Sequence, residues 1–215
     1  MDAGDIGLGD DPQAIIEAAV REQLARHDRL LLLGGDHSVT FPILQAFHQK
    51  YNKLSILHLD AHADLYDSFE GNKYSHACPF ARIMEAGLAT RLIQVGIRTL
   101  TTHQREQAQR FGVDVIEMKD WSDSIMFQLD GPVYLSLDLD ALDPAFAPGV
   151  SHHEPGGFTS RQVISIIQNL KGNLVGADLV EFNPTRDVAG ITAMLAAKLF
   201  KELLARLIQS QINFR

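Results

Sequence analysis

The chain has 215 residues, 46% of them hydrophobic, which is enough for one domain with a sizeable buried core. It carries 27 Asp plus Glu against 19 Lys plus Arg, a formal charge of −8, and no basic stripe, which argues against nucleic acid or an anionic membrane as partner. No apolar run approaches a membrane span, no secretory signal follows Met1, and the single Cys78 permits no internal disulfide, so a reducing, cytoplasmic setting is expected.

The first segment, "MDAGDIGLGDD", is rich in Gly and Asp and reads as loop. A helix is expected over 12–27, with Pro12 in its first turn and Asp10 or Asp11 as cap. Strands are then expected at 30–33, 54–59, 91–97, 113–117, 132–139 and 174–181, and further helices near 39–50, 79–86, 102–111, 160–170 and 189–209. Strand and helix alternate along the whole chain, the pattern of an α/β protein with a mostly parallel sheet. The strands are apolar almost throughout, as strands covered on both faces must be. Residues 1–215 contain no internal repeat and no low-complexity linker, so a single domain is expected.

Three strands end in unusual chemistry. "LSILHLDAHADLYD" (54–67) begins as a buried strand and then places Asp60, His62 and Asp64 at alternate positions. Residues two apart in an extended strand project to one side, so the three converge if the extended geometry continues to Asp64. "VYLSLDLDALDP" (133–144) places Asp138 and Asp140 at the end of another strand, with Asp143 before Pro144. "LLLLGGDHS" (30–38) ends in two glycines, Asp36 and His37; glycines there let the backbone turn tightly from strand into helix. Open α/β sheets keep their sites at the carboxyl ends of strands.

Each feature has a bland reading. An isolated Asp-X-His is more often a capping pair than a ligand pair, and His37 alone reads as a core histidine. Asp140 or Asp143 could cap a turn beside Pro144, and Asp36 could tie down its own loop. What these readings leave unexplained is three separate strand ends finishing this way. Asp60, Asp64, Asp138 and Asp140 packed together would repel, and several would have to take up protons. Two divalent cations offset four negative charges. Carboxylates with His37 and His62, and no thiolate, suit manganese and leave zinc, iron or cobalt open.

These residues resemble the ureohydrolase family of arginases and agmatinases, nearest its plant-type arginases, through "GGDHS" (34–38), "DAHAD" (60–64) and "SLDLDALDPAFAPG" (136–149). "EGNKYSHA" (70–77), "PGVSHHEPGG" (148–157) and "VEFNP" (180–184) add to the likeness. The resemblance implies a doubly wound α/β fold with helices on both faces and two Mn2+ per chain. By matching motifs, one manganese falls to His37, Asp60, Asp64 and Asp138. The other falls to Asp60, His62, Asp138 and Asp140. The implied reaction is hydrolysis of a linear guanidine by metal-bound hydroxide, most simply L-arginine to L-ornithine and urea, with agmatine to putrescine and urea as the alternative.

In the resemblance Glu181 matches the guanidinium-binding glutamate and His76 a mobile acid/base histidine. Asp64 could orient the attacking water. Asn72, Lys73 and Ser75, close in sequence to His76, offer hydrogen-bond donors and one positive charge suited to a carboxylate tail, and His152 stands where the plant-type branch has a histidine, so Asn72, Ser75 and His152 are expected to bind substrate. The bland alternatives are an ion pair between Glu181 and Arg186, a solvent-exposed loop histidine for His76, and a Lys73 pointing into solvent. His153 reads as a surface residue. The family implies a homo-oligomer, trimer or hexamer. Its members carry several dozen further residues, including a strand, before the "DAGDI"-like segment, so the sheet is expected to lack a strand, at its edge or in its interior. The competing classes are a non-catalytic metal-binding homologue and a single-zinc deacetylase of related fold.

Overall fold

A computed structural model describes residues 1–213. Helix α1 (Pro12–Arg26) opens as its sequence dictates: Pro12 occupies the first turn and the Asp11 side chain accepts the Ala14 N–H at 3.2 Å. Strand β1 (Leu30–Leu33) follows, then α2 (Thr40–Lys50), β2 (Ser55–Leu59), α3 (Pro79–Glu85), β3 (Arg91–Ile97), α4 (Thr102–Phe111) and β4 (Asp114–Glu117). The chain continues through β5 (Gln128–Asp138), α5 (Ser160–Asn169), β6 (Lys171–Val180) and α6 (Ile191–Asn213). Helices α4 and α5 each begin with a reciprocal capping box, Thr101 with Gln104 and Thr159 with Gln162, which satisfies two amide donors that the first turn leaves free.

The six strands form one all-parallel sheet in the order β1-β6-β5-β2-β3-β4. Helices cover both faces. Ile16, Val20 and Leu24 of α1, Ile43 and Phe47 of α2 and Phe80 of α3 pack on one side. Val163 and Ile167 of α5 and Leu199, Leu203 and Leu207 of α6 pack on the other. The central strands β2 and β5 are therefore buried on both faces, which explains their nearly continuous apolar character.

Every expected strand and helix is present, with shifted ends. β5 starts at Gln128 and β6 at Lys171, earlier than expected, because Gln128 pairs with Lys171 across a register irregularity before Pro132. Proline lacks the amide donor that a strand interior needs, so the sequence hides the outer part of that ladder. The series of strands is unbroken, which corrects the expectation of an interior gap. β1 forms one edge of the described sheet, with Leu33 67% exposed.

The tightest crossing in the sheet is at Gly176. A Cβ there would overlap the rings of Phe47 and Tyr134, which themselves pack edge to face with centroids 5.0 Å apart. Gly176→Ala is expected to lower stability by about 1–3 kcal/mol, the usual cost of overpacking. Gly35→Ala, where an added Cβ meets open space, should change it by less than about 0.5 kcal/mol. Denaturant unfolding of the two variants checks the contrast.

Candidate metal centre

In a parallel sheet all carboxyl ends lie at one edge, and the ends of β1, β2, β5 and β6 meet there. After β1 the chain turns through Gly34 and Gly35 into a 3-10 turn, His37–Val39. Asp36 caps that turn by accepting the Ser38 amide and hydroxyl, the loop-tying work expected of it. β5 runs into a second 3-10 turn, where the Asp138 carboxylate accepts the Asp140 N–H at 2.7 Å. Beyond β2 the extended geometry ends at Leu59, and Asp64 sits in the left-handed region with φ 51°. Asp64 thus reaches the cluster through a turn, not through continued strand alternation. Asp143 lies outside the cluster: it accepts the amides of Ala145, Gly156 and Gly157 and ties down the loop between them.

The six expected ligands form two nests that share Asp60. His37 Nδ1 lies 3.1 Å from Asp60 Oδ2 and 3.2 Å from Asp64 Oδ2 and Asp138 Oδ2. His62 Nδ1 lies 3.0 Å from Asp140 Oδ2 and 3.4 Å from Asp60 Oδ1. All but the partly exposed His62 are buried. His37 Nδ1 is enclosed without an aligned hydrogen-bond partner while three carboxylate oxygens surround it. Such a donor set could hold a cation, and the ligand atoms of Asp60, His62 and Asp140 are likewise close enough to share one ion.

The electrostatics follow from packing like charges in a dry place. Burial, reinforced by repulsion from Asp140 and Asp60, holds Asp138 well above the usual carboxylate range. Burial and the Asp60 charge push Asp140 up to about 7. Burial would lower both imidazoles, but the carboxylates prevail: Asp138, Asp60 and Asp64 hold His37 well above the usual histidine range, and Asp140 and Asp60 raise His62 to about 12. The cluster keeps protons near neutrality where a cation would otherwise supply positive charge.

Beneath the nests runs a row of buried polar residues that the sequence reading passed over. Gln94, His58, Ser136 and Asp178 are register partners on the adjacent strands β3, β2, β5 and β6. Asp178 accepts hydroxyls from Ser136 (2.7 Å), Thr40 (2.8 Å) and Tyr134 (2.9 Å). Because Ser136 donates to Asp178, its oxygen is free to accept from His37 Nε2 at 2.9 Å. This fixes the ring so that Nδ1 faces the carboxylates. Arg98 was also passed over; its guanidinium donates to the backbone carbonyls of Asp140, Ala141, Leu142, Gly96 and Glu154, locking the loops behind the acidic cluster.

The remaining expected residues lie on the rim. Glu181, just past β6, has φ 65° and accepts the His37 N–H at 2.8 Å, which joins the β1 and β6 ends. Burial raises its carboxyl above the usual range. No ion pair joins it to Arg186 among the described residues, so that alternative is set aside. His76 stacks on His152 at 5.3 Å, and His152 meets His62 edge-on at 6.0 Å, so an imidazole chain leads from the loop to the nests. Asn72 Oδ1 accepts the Tyr74 N–H and Ser75 Oγ lies 3.4 Å from the Ala77 N. Lys73 rests its ammonium over the Tyr74 ring. His153 is exposed and bonds to the Pro148 carbonyl, as a surface residue would.

These shifts give a signed pH dependence. Asp140 ionises near 7 in the fold but near 3.8 when unfolded, so folding binds a proton across that window and stability falls as pH rises from about 4 to about 7. His62 acts in the same direction: its raised pKa stabilises fully below about 6.5, and that contribution fades as pH rises toward about 12. Cation-free protein should therefore lose melting temperature between pH 6 and 8, and any divalent cation that binds the cluster should raise it more at pH 8 than at pH 6. A melting temperature that climbs over that range without cation would contradict this arrangement.

Comparison with known proteins agrees with the geometry. The Arginase family model matches residues 1–205. Arginase 1, mitochondrial, of Arabidopsis thaliana is 52% identical over 215 residues, covering 94% of this chain and 63% of its own length. Agmatinase, mitochondrial, of Gallus gallus is 42% identical over 188 residues, covering 81% and 55%. The structure of arginase from Medicago truncatula superposes with a TM-score of 0.88 at 50% identity, covering 94% of this chain and 67% of that one. The chain thus spans a little under two thirds of the length of the Arabidopsis protein. Six parallel strands under two layers of helices, with these motifs at their ends, are the arginase-like fold, and the chain belongs to the arginase family.

Proposed function

We propose that residues 1–215 belong to one ureohydrolase domain that holds two Mn2+ and hydrolyses a linear guanidine, L-arginine to L-ornithine and urea. The observation that carries this reading is the shared Asp60, which lies within 3.4 Å of an imidazole nitrogen in each of the two nests. Oxygen-rich donors with one imidazole per nest suit manganese. When bound, such a pair of cations lowers the pKa of a water and so supplies a strong nucleophile at neutral pH. The protein's part is to orient and to move protons. Asp64, strained at φ 51° beside His37, is positioned to hold the attacking water. Glu181 receives the planar guanidinium through charge-assisted hydrogen bonds; its carboxylate is already oriented by the His37 amide. His76, half-buried and stacked on His152, carries the proton that the departing amine needs.

Arginine and agmatine present the same guanidinium and differ in the tail, where arginine adds a carboxylate. The Asn72 amide oxygen is held by Tyr74 N–H, which leaves its NH2 to donate; with Ser75 and Lys73 this favours the carboxylate. Similarity to plant arginases supports the same choice, and the agmatinase relative supports the alternative. Self-association into a trimer or hexamer belongs to this reading, supported by exposed Met194, Leu204, Ile208 and Ile212 along α6. Cys78, buried and unpaired, supports a reducing compartment such as the cytoplasm, while the relatives' names support a mitochondrial one. No helix among the described residues is long and apolar enough to cross a membrane.

Three measurements test the reading. Asp138 lies beside His37 and its other oxygen accepts the Asp140 amide, while the motif match puts it in both ligand sets. Asp138→Ala should therefore cost both cations and essentially all urea release, and a variant that keeps two metals per chain by elemental analysis would exclude Asp138 as a ligand common to both. His76→Ala should keep both metals while kcat falls by about 10²–10⁴-fold, the usual worth of a general acid; wild-type turnover would exclude it. With Mn2+ saturating, kcat/KM should favour L-arginine over agmatine. A tenfold preference for agmatine, about 1.4 kcal/mol of transition-state binding, would reverse the substrate assignment and leave the family chemistry intact. Wild-type protein that binds Mn2+ but releases urea from no guanidine would favour the non-catalytic homologue.

A further inference from the structure

His58 sits on β2, two residues before Asp60, and its Nε2 lies 2.8 Å from Asp60 Oδ2. Its side chain is fully buried, and its ring lies over Phe80 with centroids 3.8 Å apart. With His37 and Asp60 it forms a group compact enough to share an ion, so it could be taken for a further ligand. Its hydrogen bonds argue otherwise, because both ring nitrogens are already engaged. The Gln94 side-chain nitrogen lies 2.6 Å from the Ala63 carbonyl and 3.0 Å from His58 Nδ1. The carbonyl can only accept, so the atom facing it must be the amide NH2, and the opposite placement would set oxygen against oxygen. The same NH2 therefore donates to His58 Nδ1, which must carry a lone pair. The ring proton is left on Nε2, 2.8 Å from Asp60 Oδ2.

We infer that His58 is a positioning residue for Asp60, set in its tautomer by Gln94. Asp60 Oδ2 takes the His58 Nε2–H, and Oδ1 takes the His62 backbone N–H at 2.6 Å. One protein donor on each oxygen fixes the plane of the carboxylate. The lone pairs that remain face His37 Nδ1 on one side and His62 Nδ1 on the other, which is the orientation that serving both nests requires. Phe80 packs on the face of His58 and edge-on to His37 at 5.3 Å, so one apolar ring braces both imidazoles.

The inference rests on Asp60 serving both nests, and its test separates the two ideas. In cation-free wild-type protein labelled with 15N-histidine, the ring couplings should show His58 as the Nε2–H tautomer; an Nδ1–H tautomer overturns the inference whatever the metal content. Mn2+ titration by calorimetry then compares variants. His58→Phe keeps the packing on Phe80 but removes the donor, and should weaken Mn2+ binding by about 10–100-fold. His58→Gln places an amide donor near the lost Nε2–H and should stay within about threefold of wild type. Gln94→Leu, read on the same spectra, should release the tautomer preference. Wild-type affinity in a folded His58→Phe assigns His58 to packing alone, and equal weakening by Phe and Gln shows that a donor there does not restore binding; either overturns the inference. Wild-type protein that takes up fewer than two Mn2+ would instead count against the dinuclear reading.

Discussion

Four carboxylates at the carboxyl edge of one parallel sheet are the constraint that organises this protein. Asp60, Asp64, Asp138 and Asp140 meet because β2 and β5 are neighbours and run the same way. Their mutual repulsion in a buried place is large, and each surrounding feature answers it. His37 and His62 supply imidazoles; Asp60 and Asp138 each accept a backbone amide or imidazole proton; Arg98 binds the carbonyls of the flanking loops. What remains uncompensated is negative charge, which divalent cations would offset.

The second tier gives that edge its precision. Gln94, His58, Ser136 and Asp178 form one polar row across four strands of an otherwise apolar sheet. Polar residues buried this deeply need partners, and here each partner leads upward to a candidate ligand: Asp178 through Ser136 to His37, and Gln94 through His58 to Asp60. The row converts sheet register into ligand orientation. A shift of register on β2 or β5 would misalign the row and the nests together. Backbone strain is placed at the same edge, since Asp64 and Glu181 are non-glycine residues in the left-handed region that flank His37.

Much of this was legible in the sequence, for physical reasons. Apolar runs separated by helical periods showed the strands, and carboxylates two apart at run ends showed the cluster. The outer part of β5 was hidden because Gly131 and Pro132 interrupt its pattern. The turn that brings Asp64 in was hidden because a left-handed aspartate has no sequence signature of its own. His58, Gln94, Ser136 and Asp178 were passed over although a signal existed: each is a polar residue inside an apolar strand run. His58 and Ser136 each stand two residues before an aspartate at a strand end. Arg98 could not be read, because its partners are backbone carbonyls that any sequence would supply.

The proposed function requires a pair of cations held between two nests that share Asp60. Titration of cation-free wild-type protein with Mn2+, followed by electron paramagnetic resonance, tests that claim most directly. A dinuclear centre of this kind should saturate at two Mn2+ per chain and show the exchange-coupled signal of two ions that share a ligand. Saturation at one isolated Mn2+ per chain, or two ions with no magnetic coupling, would contradict it.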